Sequence, residues 1–89
     1  MNKQETMKSQ LAEAIQLERE GDTDEAIDLY GSILMAGDRQ VLKQIINDPV
    51  GDTLLHQAYQ GLSRLAASKD EGTWETASQV LGDIRAMFG

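Results

Sequence analysis

Apolar residues return along the chain at three- and four-residue intervals, in blocks separated by short polar breaks. Met7, Leu11, Ala14, Ile15 and Leu17 make one stripe, and Ala26, Leu29, Tyr30, Ile33 and Leu34 make the next. That period is helical, and strict two-residue alternation is absent. The spacing predicts a first helix from Lys3 or Met7 to Glu20 and a second from Thr23 to Ala36. Residues 1–6 read as a loose start. Gly21 ends the first helix in the left-handed conformation. Asp22 follows as N-cap, with Glu25 three residues on in a capping-box pattern. Two stripes joined by so short a turn are expected to fold back on each other.

The same reading carries to the end of the chain. Gly37 stops the second helix and Asp38 caps a third over Arg39–Asn47, with Val41, Leu42, Ile45 and Ile46 as its apolar edge. Pro49 ends it, because the residue before a proline is pushed out of helical angles. Asp52 or Thr53 caps a fourth helix reaching Ser68 or Lys69, with Leu54, Leu55, Ala58, Leu62, Leu65 and Ala66 on one side. Asp70 to Gly72 breaks it. Thr73 caps a fifth, Trp74–Phe88, whose stripe is Ala77, Val80, Leu81, Ile84 and Phe88.

Ala14 and Leu17 before the turn, Gly21-Asp22 at it, and Ala26 and Tyr30 after it resemble a tetratricopeptide repeat. Gln10 stands where that family often has tryptophan, and Asp38 near its usual closing proline. The resemblance covers about a quarter of the chain. It implies that the small residues let two helices approach, that Tyr30 fills the gap above them, and that the hairpin is a scaffold for binding. Displacing the chain by 51 residues lays Gly21 on Gly72, Ala26 on Ala77, Tyr30 on Leu81, Gly31 on Gly82 and Ile33 on Ile84, with Leu11 on Leu62. Trp74 takes the aromatic place just after the second turn. The displacement exceeds the period of about 34 residues usual for such repeats, and the third helix is the surplus. The fold class expected is all-α: a five-helix bundle of two TPR-like hairpins, 7–36 and 53–88, joined by a helix at 39–47 in one domain, 1–89. Two repeats are fewer than the three a stable solenoid usually needs, so the core must close as a bundle, by dimerisation, or on a partner. Gly31 and Gly82, inside helices, are either close-approach points or tolerated defects.

Composition supports this and narrows the chemistry. The 89 residues contain one proline and no cysteine, which excludes disulfides and thiolate metal sites. No apolar run is long enough to span a membrane, and MNKQETMKSQ lacks the apolar core of a signal peptide; the expectation is a cytoplasmic protein. The net charge of −7 is uneven: residues 1–37 carry three Lys/Arg against eight Asp/Glu, residues 38–89 five against seven. Such a surface keeps a small domain soluble, repels phosphate backbones and attracts a basic partner.

No catalytic constellation emerges. His56 projects with Gln60 and Ser63 away from the apolar stripe, and reads as solvated. There is no nucleophile elbow, phosphate-cradling glycine loop or HExxH. Asp22, Asp24 and Asp28 do not make a calcium loop, since Ile27 and Ile33 occupy the places of its glycine and closing glutamate. Catalytic, cofactor and metal sites are therefore read as none. Gly61-Leu62-Ser63-Arg64 with 75–81 faintly resembles antitoxin-type helix-turn-helix proteins. The gap is too short for the full motif, and Arg64, Lys69 and Arg85 do not make the basic cluster that DNA binding wants.

The expectation is a non-catalytic adaptor that binds a protein partner, or a second copy of itself as a homodimer, through helix faces. The alternative is a small acidic regulator or inhibitor, antitoxin-like or phage-encoded, that blocks a basic nucleic-acid-binding protein. The partner-binding residues expected are the acidic Glu13, Glu20, Asp24 and Asp28 and the apolar Met35, Met87 and Phe88. Methionine suits adaptable contacts, and Met87 and Phe88 stand where no later chain can cover them.

Overall fold

In the computed structural model, which describes residues 3–88, Gly21 is the only described residue with a positive φ, at 90°. It closes α1 (Lys3–Glu20) with a Schellman pair: Asp22 N–H donates to the Leu17 carbonyl at 2.9 Å and Gly21 N–H to the Glu18 carbonyl at 3.3 Å. The chain then turns directly into α2 (Thr23–Met35). Of the expected loose start, residues 1 and 2 lie outside the described residues, and α1 is helical from Lys3.

The remaining helices are α3 (Arg39–Asn47), α4 (Leu54–Ala66) and α5 (Glu71–Phe88), giving five helices and, among the described residues, no strand. The architecture is an all-α five-helix bundle. α1 packs on α2, α4 on α5, and the two pairs join with α1 against α4 and α2 against both α4 and α5. α3 covers α4 and α5. The shortest extent of the molecule, 19 Å, leaves room for about two helix layers. α2 is therefore the central helix, and Ala26, Ile27, Tyr30, Ile33 and Leu34 on it are all fully buried. Ala14, Ala58 and Ala77 are buried equally at the helix contacts.

The caps divide into kept and revised expectations. Asp38 accepts from the Gln40 and Val41 amides at 2.9 and 3.2 Å, and Thr53 accepts from the His56 amide. Asp22 occupies the N-cap position of α2 without a side-chain cap bond. Its ψ is 65°, whereas Asp38 and Thr53 are extended at 133° and 168°. The Schellman closure fixes Asp22 through its own amide, and the carboxylate does not fold back over the first turn. α4 stops at Ala66, two or three residues before the expected Ser68 or Lys69, with the Ala67 amide bonded back to Ser63 and Arg64. α5 begins three residues earlier than the spacing predicts, because Asp70 and not Thr73 caps it. The Asp70 carboxylate accepts from both the amide and the hydroxyl of Thr73, at 3.1 and 2.7 Å.

The 51-residue displacement matches burial at Leu11/Leu62, Ala26/Ala77, Tyr30/Leu81 and Ile33/Ile84, every one of them a core position. It fails at the turn. Trp74 is 49 % exposed and does not fill the second hairpin. Instead Thr23 and Thr73, fifty residues apart, meet hydroxyl to hydroxyl at 2.8 Å. Since Thr73 donates to Asp70, Thr23 must donate to Thr73. The two helix starts are tied by a three-residue relay ending on a carboxylate.

At Gly61, α4 lies close against the Tyr30 ring of α2. A Cβ there would stand 2.6 and 2.8 Å from the two Cε atoms of Tyr30. The Tyr30 hydroxyl, brought inside by this packing, donates to Glu18 at 2.6 Å, and Arg64 grips both oxygens of the same carboxylate at 3.2 and 3.3 Å. α1, α2 and α4 are thereby pinned at one polar cluster. Burial first, and then the Glu18 carboxylate, push the Tyr30 phenol well above its ordinary range. The hydrogen bond to Glu18 holds the Arg64 guanidinium charged. A second pin joins α5 to α4, where Arg85 Nε donates to the Tyr59 hydroxyl at 3.0 Å.

Candidate functional site

α2 and α5 lie side by side with a groove between their outer flanks. Its floor is Ile27, Gly31, Val80 and Ile84, and its volume is about 370 Å³. Asp28 and Ser32 rise on the α2 side, Asp83 on the α5 side, and Met35 and Met87 close one end. The two methionines are 48 % and 49 % exposed. The groove forms because a glycine sits where α2 meets α5: a Cβ at Gly31 would stand 3.3 Å from Val80 Cγ1. Gly31 is thus the close-approach point of the two alternatives, whereas Gly82 faces open space with nothing within 4 Å.

Of the seven residues expected to bind a partner, the groove brings together Asp28, Met35 and Met87. Asp24 lies one turn before Asp28 on the same flank of α2 and is exposed. Glu13 and Glu20 do not join them. They are exposed on α1, which packs on α2 and α4 away from the groove, and Glu20 accepts from Gln16 at 3.0 Å. Phe88 turns to the other flank of α5. It is half-buried against the core, and the Arg39 guanidinium of α3 lies 5.8 Å from its ring centroid. An earlier segment, α3, thus covers Phe88 through Arg39.

Ser32, Val80 and Asp83 are groove residues that the sequence reading missed. Val80, Asp83 and Met87 follow one another at i, i+3 and i+7, a signal hidden because Val80 belongs equally well to the core stripe. The groove's charge is one-sided. α2 contains no Lys or Arg, and α5 contains only Arg85, which is held on Tyr59.

Other hollows lie elsewhere, among them a shallow one at the Gly21–Glu25 turn that Asp24 lines. One, about 550 Å³, runs beside Arg64 and the exposed Val50 and has the 49–51 loop as one wall. Gln60 straps that loop by donating to the Pro49 and Gly51 carbonyls. Another, about 240 Å³, lies between Met7, Val41 and Leu54. His56, read as solvated, is half-buried, with Nδ1 2.6 Å from the Thr53 hydroxyl and its ring against Gly51. Among the described residues no three of His, Cys, Asp and Glu are grouped to hold a metal ion, and no helix is long and apolar enough to cross a membrane.

The fold and groove define a small helical domain with one acidic-walled, apolar-floored cleft built on two helices. Compared with protein families, curated proteins and solved structures, the chain matches none.

Proposed function

We propose that the chain is a non-catalytic protein-interaction module, built on a tetratricopeptide-like pair of hairpins, whose docking surface is the α2–α5 groove. The observation that carries this reading is the convergence of Asp28, Met35 and Met87 on one cleft with an apolar floor. Large apolar side chains left half in water beside such a cleft are what a docking surface presents. Its walls are two helices of the bundle, so the surface is preorganised and binding orders little backbone. The groups whose pKa is displaced, Tyr30, Arg64 and Asp70, serve as structural bonds between or within helices and lie outside the groove. The proposed module acts without catalysis, in the cytoplasm.

The test compares affinity capture from the source organism by three proteins: the parent, Met35→Ala/Met87→Ala, and Glu13→Ala/Glu20→Ala. A partner retained by the parent and by the α1 variant, but lost by the methionine variant, supports the groove. Loss with the α1 variant alone transfers the function to α1.

A further inference from the structure

We propose that the occupant of the α2–α5 groove is a basic amphipathic helix of another protein; this rests on the docking reading above. The chemistry of the walls decides the class. Asp28 on α2 and Asp83 on α5 both border the apolar floor, Asp24 is exposed one turn before Asp28 on the same flank of α2, and no free cation of α2 or α5 balances them. A ligand that covers Val80, Met35 and Met87 must desolvate these carboxylates in part, and it does so at least cost when it brings Lys or Arg to them.

The dimensions fit a helix. Asp28 to Met35 and Val80 to Met87 each span eight residues, so their ends lie about 10 Å or two turns apart. That length takes two or three anchors at i, i+3 or i+4, and i+7, with cations on the flanking positions.

A second copy fits poorly. Groove against groove would bring the acidic borders of two copies together with no free cation of α2 or α5 between them. The chain's own basic helix, α3, buries Leu42 and Ile45 inside the bundle and has no apolar stripe left to offer.

The test uses the full chain with labelled methionine methyl groups and two synthetic peptides of about 18 residues, long enough to form helix on docking. Both carry the same leucine stripe; one is flanked by Lys and Arg, the other by Glu. The basic peptide is expected to move the Met35 and Met87 signals and leave Met7 still. It should bind about tenfold or more tighter than the acidic one. The preference should shrink as salt rises from about 0.1 M to 1 M and the screening length falls from about 10 to 3 Å. Asp28→Asn/Asp83→Asn, checked for an unchanged amide spectrum, should lose most of the preference. Equal binding of both peptides at Met35 and Met87 overturns the basic occupant while leaving the groove as a docking surface. No movement of either methionine by any peptide overturns both.

Discussion

Replacing glycine by alanine inside a helix gains about 1 kcal/mol from propensity alone. In this bundle the same change is expected to have opposite signs at two helical glycines. At Gly82 nothing lies within 4 Å of the new methyl group, so Gly82→Ala should stabilise by roughly 0.5–1 kcal/mol. At Gly61 the methyl group would press on the Tyr30 ring, 2.6 and 2.8 Å from its Cε atoms, against about 3.5–4.0 Å for ordinary carbon contact. Tyr30 is fully buried, and its hydroxyl is held on Glu18 of α1. Overpacking of this kind costs about 1–3 kcal/mol. A ring displaced by about 1 Å also loses its 2.6 Å bond to the Glu18 carboxylate, the kind of charged hydrogen bond worth about 1.5–3 kcal/mol. After the propensity gain, the net loss is about 1.5–5 kcal/mol. That is a large part of the roughly 4–13 kcal/mol expected for a domain of this length. Urea denaturation followed by far-ultraviolet circular dichroism reads both variants. With a slope of about 1–2 kcal/mol per molar, the Gly61→Ala midpoint should fall by about 1 M or more, and the Gly82→Ala midpoint should rise. Tyr30→Leu in the Gly61→Ala background should show strong non-additivity. A Gly61→Ala protein as stable as the parent would refute the α2–α4 crossing described here.

Three further outcomes follow from the same contacts. Ala26 is fully buried between helices, so Ala26→Leu should cost about 1–3 kcal/mol in the same denaturation experiment. Because the folded state holds the Tyr30 phenol raised, its contribution is complete below the unfolded value near 10 and is lost as pH climbs above that; unfolding scans should show an alkaline decline that Tyr30→Phe flattens. Asp70 is shifted the other way, lowered first by the Thr73 hydroxyl and then by its amide. Its contribution is therefore present above the ordinary carboxylate value of about 4 and lost as pH falls through the lower folded value. Thr73→Val should reduce that acid sensitivity.

Helix positions were legible where periodicity and punctuation agreed. Gly21, Asp38 and Pro49 mark boundaries by backbone chemistry that acts within a few residues, and α1 to α3 fall close to where the spacing puts them. The start of α5 was less legible. Asp70 read as part of a break, yet its carboxylate accepts from both the amide and the hydroxyl of Thr73 and so caps the helix three residues earlier. Trp74 illustrates the same limit, since the repeat pattern places an aromatic residue there but the earlier start of α5 leaves it half in water. The acidic face split because Glu13 and Glu20 share a helix with each other and only Asp24 and Asp28 share the flank that borders α5. Which flank of α2 meets α5 depends on packing between hairpins, and sequence spacing within one helix carries no information about it. The Glu18–Tyr30–Arg64 cluster was hidden for the same reason. Tyr30 on an inward stripe needs a partner for its hydroxyl, but only the folded arrangement selects Glu18 and brings Arg64 to it.

The most direct test of the docking surface is site-specific photo-crosslinking in the source cell, with the reactive group placed at Ser32 on the groove wall or at Glu13 on α1. Both positions are exposed, so neither substitution disturbs the core. The account predicts a crosslink to a different protein from Ser32 and none from Glu13. A crosslink from Glu13 alone, or from Ser32 only to a second copy of this chain, would contradict it.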